Sequence, residues 1–185
     1  MASRELLIGC GNRRVKELSI AEVAEWHDLT TLDVDPTTNP DVVHDLNILP
    51  YPFEDNSFDE IHAYEVLEHT GQQGDWRWFF AQFSEFYRIL KPDGQLYGTS
   101  PLWTSNWAWG DPGHSRVIQP ESLIFLDQAQ YTQQIGQTPM TDYRHVWKGD
   151  FEPLGMGPLQ VPEGQRPVRF YYVLKAVKPS RISVQ

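Results

Sequence analysis

Three kinds of residue in this chain could do chemistry: a glycine pair, strand-ending carboxylates and two isolated histidines. Gly9-Cys10-Gly11 closes a short apolar run, Leu6-Leu7-Ile8, and leads into Asn12-Arg13-Arg14. Glycines there let the backbone turn tightly and come close to a ligand, and a following helix would offer unpaired N–H groups and the positive end of its dipole. Gly-x-Gly by itself also describes an ordinary strand-to-helix turn. Two further apolar runs stop on acids, at Asp33-Val34-Asp35 and near Asp45. His69 follows Leu67-Glu68, and His114 follows Asp111-Pro112-Gly113; imidazoles exchange protons near neutral pH. Cys10 is the single cysteine, so it has no internal disulfide and no metal-ligand spacing. It reads as a small residue packed in a turn, and no metal site is expected.

These groups need strands to carry them. Glu5 to Ile8 read as a buried strand. Val15, Leu18, Ile20, Val23, Ala24 and Trp26 recur at roughly helical spacing, with Ser19-Ile20-Ala21-Glu22 as a capping box. Leu29 to Val34 and the very short Val42-Val43 are the next strands, too close together for a full helix between them. Phe58 to Tyr64 is a fourth strand. From Trp76, Phe79, Phe80, Phe83, Phe86, Tyr87 and Leu90 mark an amphipathic helix, which Lys91-Pro92-Asp93-Gly94 stops. Gln95 to Thr99 form a fifth strand, and Pro120-Glu121 open a helix running to about Gln130. Tyr143–Trp147 and Val168–Val177 alternate as an antiparallel edge pair.

The chain has 185 residues, 40% of them apolar, which suits one α/β domain spanning 1–185 with a proper core. Acidic residues outnumber basic ones, 25 to 15, which argues against nucleic acid as a partner. No apolar stretch reaches membrane-spanning length and the N-terminus lacks a signal-peptide core, so a cytoplasmic protein without a membrane partner is expected. The oligomeric state is left open.

The ordered set Leu6–Asn12, Leu32–Pro36, Asp41–Pro50, Asn56–His69 and Arg88–Pro101 resembles the class I S-adenosylmethionine (SAM)-dependent methyltransferases, in particular their small type-11-like branch. The resemblance implies a Rossmann-like, mostly parallel twisted sheet with helices on both faces and an antiparallel C-terminal edge pair. It implies SAM as cofactor and methyl transfer to a small molecule. Gly9, Cys10, Gly11 and Asn12 would bring backbone to the methionyl half. Asp35 would accept hydrogen bonds from the ribose hydroxyls, with Asp33, two residues back on the same strand face, in reserve. Asp45 would take the adenine amino group beside the Leu46 backbone, and Glu65 and Val66 would line the cleft near the sulfonium. Plainer roles stand beside these: Asp35 as a turn residue before Pro36, Asp45 in an Asx turn, Glu68 and His69 as a cap and a surface group. The chain departs from the family pattern at Leu7, where an acid is usual, and at Arg13, where a third glycine is usual. Arg13 could pair with the methionyl carboxylate.

Methyl transfer asks a protein mainly to align the nucleophile, exclude water and remove a proton. His114, then His69, are the base candidates; a surface histidine is the alternative for each. Trp103, Trp107 and Trp109 would form a lid, or else pack on the sheet edge or a dimer partner. Ser100-Pro101-Leu102-Trp103 looks like the motif of amino-methylating DNA enzymes but follows the fifth strand rather than the fourth, so it is set aside. A catalytically silent SAM-binding module is the main competing reading. A nicotinamide-dependent oxidoreductase is the other, and Arg14 stands where it would need a glycine.

Overall fold

A computed structural model describes residues 3–19 and 24–181. Its strands are β1 (Arg4–Ile8), β2 (Asp28–Asp33), β3 (Val42–Val43), β4 (Phe58–Tyr64), β5 (Leu90–Pro101), β6 (Phe151–Pro158) and β7 (Arg169–Ala176). They form one sheet in the order β3-β2-β1-β4-β5-β7-β6. β1 to β5 are mutually parallel, and β7 runs antiparallel to both β5 and β6. The chain leaves β1 toward one edge and returns at β4 to build the other. That reversal opens a crevice at the carboxyl ends of the strands.

Alternation along the strands divides the sheet into two unlike faces. Leu6, Ile8, Ile61, Ala63, Leu96, Phe170, Tyr172 and Leu174 belong to one buried apolar core. Helix α1 (Trp76–Ile89) covers it with Phe80, Phe83, Phe86 and Ile89, and Asp75 caps the helix by accepting the Trp78 N–H at 3.0 Å. The expected stop at Lys91–Gly94 is an irregularity within β5: Phe58 pairs with Leu90, the next pair is Glu60 with Gln95, and Asp93 sits at φ 62°. Short helices α2 (Trp107–Gly110), α3 (Pro120–Leu123) and α4 (Gln128–Gln134) follow. The helix expected from Pro120 is therefore broken, with a 3-10 turn at Ile124–Leu126 and a new cap at Asp127, which accepts the Ala129 N–H.

Tyr143–Trp147 is a turn and not a strand, because both Val146 and Trp147 donate to the Tyr143 carbonyl. What looked like alternation is ring packing: Trp147 is fully buried and stacks against Phe80 and Phe151. The edge partner of β7 is instead β6, whose Pro153, Gly155, Gly157 and Pro158 conceal it from pattern reading. Prolines fit an edge strand, where one side of the ladder is unpaired.

The second difference lies between β1 and β2. Residues 13–19 and 24–26 carry no helix, and residues 20–23, with most of the expected capping box, lie outside the described residues. The sheet face beneath them is polar. Lys16 Nζ reaches Glu5 Oε1 at 2.8 Å and Glu60 Oε2 at 2.7 Å. His62 stacks on Tyr97 and meets the edge of Trp26. Tyr64 Oη accepts the Leu18 N–H and donates to His62 Nδ1, leaving His62 Nε2–H to donate to Glu60. An apolar helix stripe would find no apolar floor there; an irregular segment brings Lys16, Leu18 N–H and Trp26 to the groups that need them.

Burial alone would raise the Glu60 carboxyl, but hydrogen bonds from His62 and Lys16 outweigh it and hold it at about 2. A carboxyl lowered on folding adds stability that is complete above its unfolded value and lost as the group protonates. Stability is therefore expected to fall as pH drops from about 4.5 toward 2, and Glu60→Gln should flatten that limb in urea titrations. An unchanged acid limb would contradict this assignment.

Gly98, opposite Tyr172 in the β5–β7 ladder, has no room for a side chain: a Cβ would stand 2.0 Å from the tyrosine Cζ. Gly98→Ala should destabilise the protein by about 2 kcal/mol through overpacking. Gly110→Ala, with open space at its Cβ, should be near neutral in the same urea melts.

Candidate active site

A cleft of about 370 Å³ lies at the carboxyl ends of β1, β2 and β4, lined by Gly9, Leu32, Asp33, Val34, His44, Asp45, Leu46, Asn47, Glu65, Val66, His69 and Thr70. That volume is in the range of small-molecule sites. Among the described residues, another hollow, about 270 Å³ and lined by Trp76, Phe79, Phe125 and Tyr143, lies beside α1; its one carboxylate, Asp75, is the cap of that helix, and no histidine lines it.

The cleft is built by strand endings. Gly9, just past β1, has φ 59°, and a Cβ there would come within 2.5 Å of Val66. The glycine turn and the residue after β4 thus close against each other to make the cleft floor. Asp33 ends β2. Its Oδ2 accepts the Gly11 N–H at 2.8 Å and its Oδ1 the Asp35 N–H at 2.9 Å. Each oxygen keeps a second lone pair for a ligand. β3 has only two residues, and Asp41 supports it by accepting from Thr31 N–H and Oγ1. The loop after β3 carries Asp45, whose Oδ1 accepts the Asn47 N–H at 2.8 Å. Asp45 is therefore both the Asx-turn residue and a cleft residue. Asn47 Oδ1 in turn accepts the Gly71 N–H, tying this wall to the one beyond β4.

Glu65 follows β4 at φ 55°, a left-handed conformation costly for a residue with a Cβ. Burial raises its carboxyl above the ordinary range, and Oε1 is buried without a partner. Val66 is buried, and a 3-10 turn, Leu67–His69, sends His69 into the cleft. Glu68 points the other way, almost fully buried, and burial pushes its carboxyl up to about 8. His114 lies with its ring centroid 4.6 Å from that of His69, edge to face.

Of the residues expected at a binding site, Gly9, Asp33, Asp45, Leu46, Glu65, Val66 and His69 line the cleft, and Gly11 is bonded to it through Asp33. Cys10 is buried, and neither it nor Asn12 is among the lining residues. Asp35 is not either: it is exposed and caps the 3-10 turn Pro36–Thr38 by accepting from Thr37 N–H and Oγ1. Arg13 is turned outward, its side chain 74% exposed beside Glu17. Trp103, Trp107 and Trp109 are more than 60% exposed and do not line the cleft, while Ala108 among them packs inward beside Glu68 and His114. Sequence reading passed over Leu32, Val34, His44, Asn47 and Thr70; only Asn47, two places after an acid in a turn-forming loop, carried a local signal.

Residues 6–98, half of the chain, match a family model described as a methyltransferase domain. No curated protein sequence matches. Among solved structures, a SAM-dependent methyltransferase from Archaeoglobus fulgidus is similar at TM-score 0.56 and 16% identity, covering 94% of this chain and 86% of its own. The N-methyltransferase NodS from Bradyrhizobium japonicum WM9 is similar at TM-score 0.55 and 16% identity, covering 96% and 87%. NodS in complex with S-adenosyl-L-homocysteine (SAH) gives 0.53 and 17%, covering 95% and 78%. At these identities the structural likenesses establish the fold.

Proposed function

Because this chain belongs to the methyltransferase-domain family, we propose that it binds SAM in the cleft at the strand ends and transfers its methyl group to a small-molecule acceptor. The observation that carries this reading is the placing of two carboxylates, Asp33 and Asp45, on one cleft whose floor is a glycine turn.

The residues present fit the cofactor. Asp33, not Asp35, is the ribose acceptor in this proposal, since it lines the cleft and backbone N–H groups hold both of its oxygens in place. Asp45 and the Leu46 backbone receive the adenine, with Leu32 and Val34 as apolar walls. Leu7 is buried and offers no charge to the ligand's ammonium. Glu65 takes that part, because its unpartnered Oε1 belongs to a residue of the same cleft. When bound, SAM supplies a methyl group on a sulfonium, already activated for displacement. The protein's work is then alignment and exclusion of water. Val66 and Gly9 fix the depth of the cleft, and His69, with the His114 ring against it and Glu68 behind it, marks the side where an acceptor's nucleophile and its proton would be handled.

Among the described residues no helix is long and apolar enough to cross a membrane. A small acceptor fits the acidic composition and the size of the cleft. Calorimetry with SAM, SAH and NAD, followed by SAH release across a panel of small acceptors, tests the proposal. Saturable binding of SAM and SAH with turnover on some acceptor is expected. Binding of NAD alone would remove the reading, and SAM binding without turnover on any acceptor would favour the silent module.

A further inference from the structure

Glu68, His69 and His114 converge beside the cleft, which His69 alone of the three lines, with ligating atoms unused. Glu68 Oε2 accepts from Ser100 Oγ at 3.1 Å, while Oε1 is buried without a partner. His114 Nδ1 is buried without a partner as well. One ligand-type atom from each of the three residues lies within 4.8 Å of the other two. Leaving a buried polar atom unpaired is costly, and two at one point ask for a common partner.

We propose that Glu68, His69 and His114 bind one divalent cation at the side of the cleft that His69 lines. Two imidazoles and one carboxylate form a donor set suited to zinc, manganese, iron, cobalt or nickel rather than to calcium or magnesium, which take oxygen ligands. Ligand atoms around such an ion stand about 3–4 Å apart, so small side-chain rotations from the present spacing complete the set. The surrounding bonds orient the ligands as an outer shell does. His69 Nδ1 pairs with the Gly113 carbonyl at 3.1 Å, which leaves Nε2 with its lone pair. His114 Nε2 faces Asp111 Oδ2 at 4.0 Å, which leaves Nδ1. Ser100 holds the far oxygen of Glu68. Glu65 adds a neighbouring carboxylate. The nearby Arg116 opposes a cation by its charge; its Nε and Nη2 are engaged with the Leu67 carbonyl, Thr70 Oγ1 and Gln82 Oε1, while its Nη1 is buried without a partner.

Three protein ligands leave open positions on the ion, as in catalytic rather than structural sites. Resting on the function proposed above, the ion would hold an oxygen of the acceptor beside the methyl group, in place of the free imidazole base expected from the sequence. A coordinated hydroxyl gives its proton to solvent more readily. Its oxygen pair then forms the new O–C bond as the C–S bond breaks, and the C–S pair stays on sulfur as SAH leaves. The acceptor class implied is a hydroxyl compound.

The test is titration of the untagged chain with Mn(II), followed by electron paramagnetic resonance, and with Co(II), followed by visible absorption. One equivalent should bind, and His69→Ala, His114→Ala and Glu68→Gln should each weaken binding at least tenfold. His27→Ala, at a half-exposed side chain beside Glu5, should leave it unchanged. His69 is exposed, so its variant reports on the site without disturbing the core. Absence of saturable binding, or equal binding by the wild type and the His69 and His114 variants, would overturn the proposal. SAH calorimetry on the same samples separates the two readings: metal bound without SAH would remove the methyltransferase assignment and leave the cation site standing.

Discussion

Asp33→Ala is expected to weaken SAH binding about 100-fold, while Asp35→Ala leaves it within about twofold of wild type. The two acids are two residues apart at the end of the same strand, yet only one lines the cleft. A hydrogen bond to a charged acceptor contributes roughly 1.5–3 kcal/mol, and two ribose hydroxyls on one carboxylate together give about 3 kcal/mol, which is the stated factor. Asp33 also holds the Gly11 N–H, so its loss frees the glycine turn as well. Asp35→Ala removes only a cap, with a cost of about 1 kcal/mol in stability. Calorimetric titration of both variants checks the pair, and the reverse ranking would return the ribose to Asp35.

Arg116→Ala is expected to be the most damaging single change to the folded state, lowering Tm by about 10 °C. Burial pulls the guanidinium down to about 10, so it is still charged at neutral pH. It donates to the Leu67 carbonyl and Thr70 Oγ1, both at 2.9 Å, and to Gln82 Oε1. These bonds tie the 3-10 turn carrying His69 to α1. Removing one member of a buried charged network costs about 3–5 kcal/mol, and in a domain of this size each kcal/mol is about 2–4 °C. Arg116→Lys should recover only part of the loss, since one ammonium cannot reproduce the planar fork. Thermal melts decide; a fall under about 3 °C would mean the network is not holding the turn.

The strands that carry the cleft were legible because their burial is periodic and their ends are punctuated by Gly9, Asp33, Asp45 and Glu65. Phe58–Tyr64 and the Trp76 helix are long enough for pattern alone. The failures share a cause. Between β1 and β2 the apolar residues suggested a helix, but the sheet face below is a layer of Glu5, Glu60 and His62, visible only once the strands are aligned. Tyr143 and Trp147 read as strand because large rings mimic alternation, while the prolines and glycines of β6 hide it. That Asp33 lines the cleft while Asp35 caps a turn depends on where the strand ends, and strand ends are poorly fixed by local sequence. His69 and His114 could be singled out separately; that they meet, with Glu68 between them and the core, depends on a loop 45 residues along folding back across β5, a long-range contact that no local pattern encodes.

The most direct measurement is a crystal structure of the chain with SAH. The ribose hydroxyls are expected on Asp33, the adenine against Asp45 and Leu46, the ammonium on Glu65 and the sulfur facing His69. Ligand density outside this cleft, or a ribose held by Asp35, would contradict this placement.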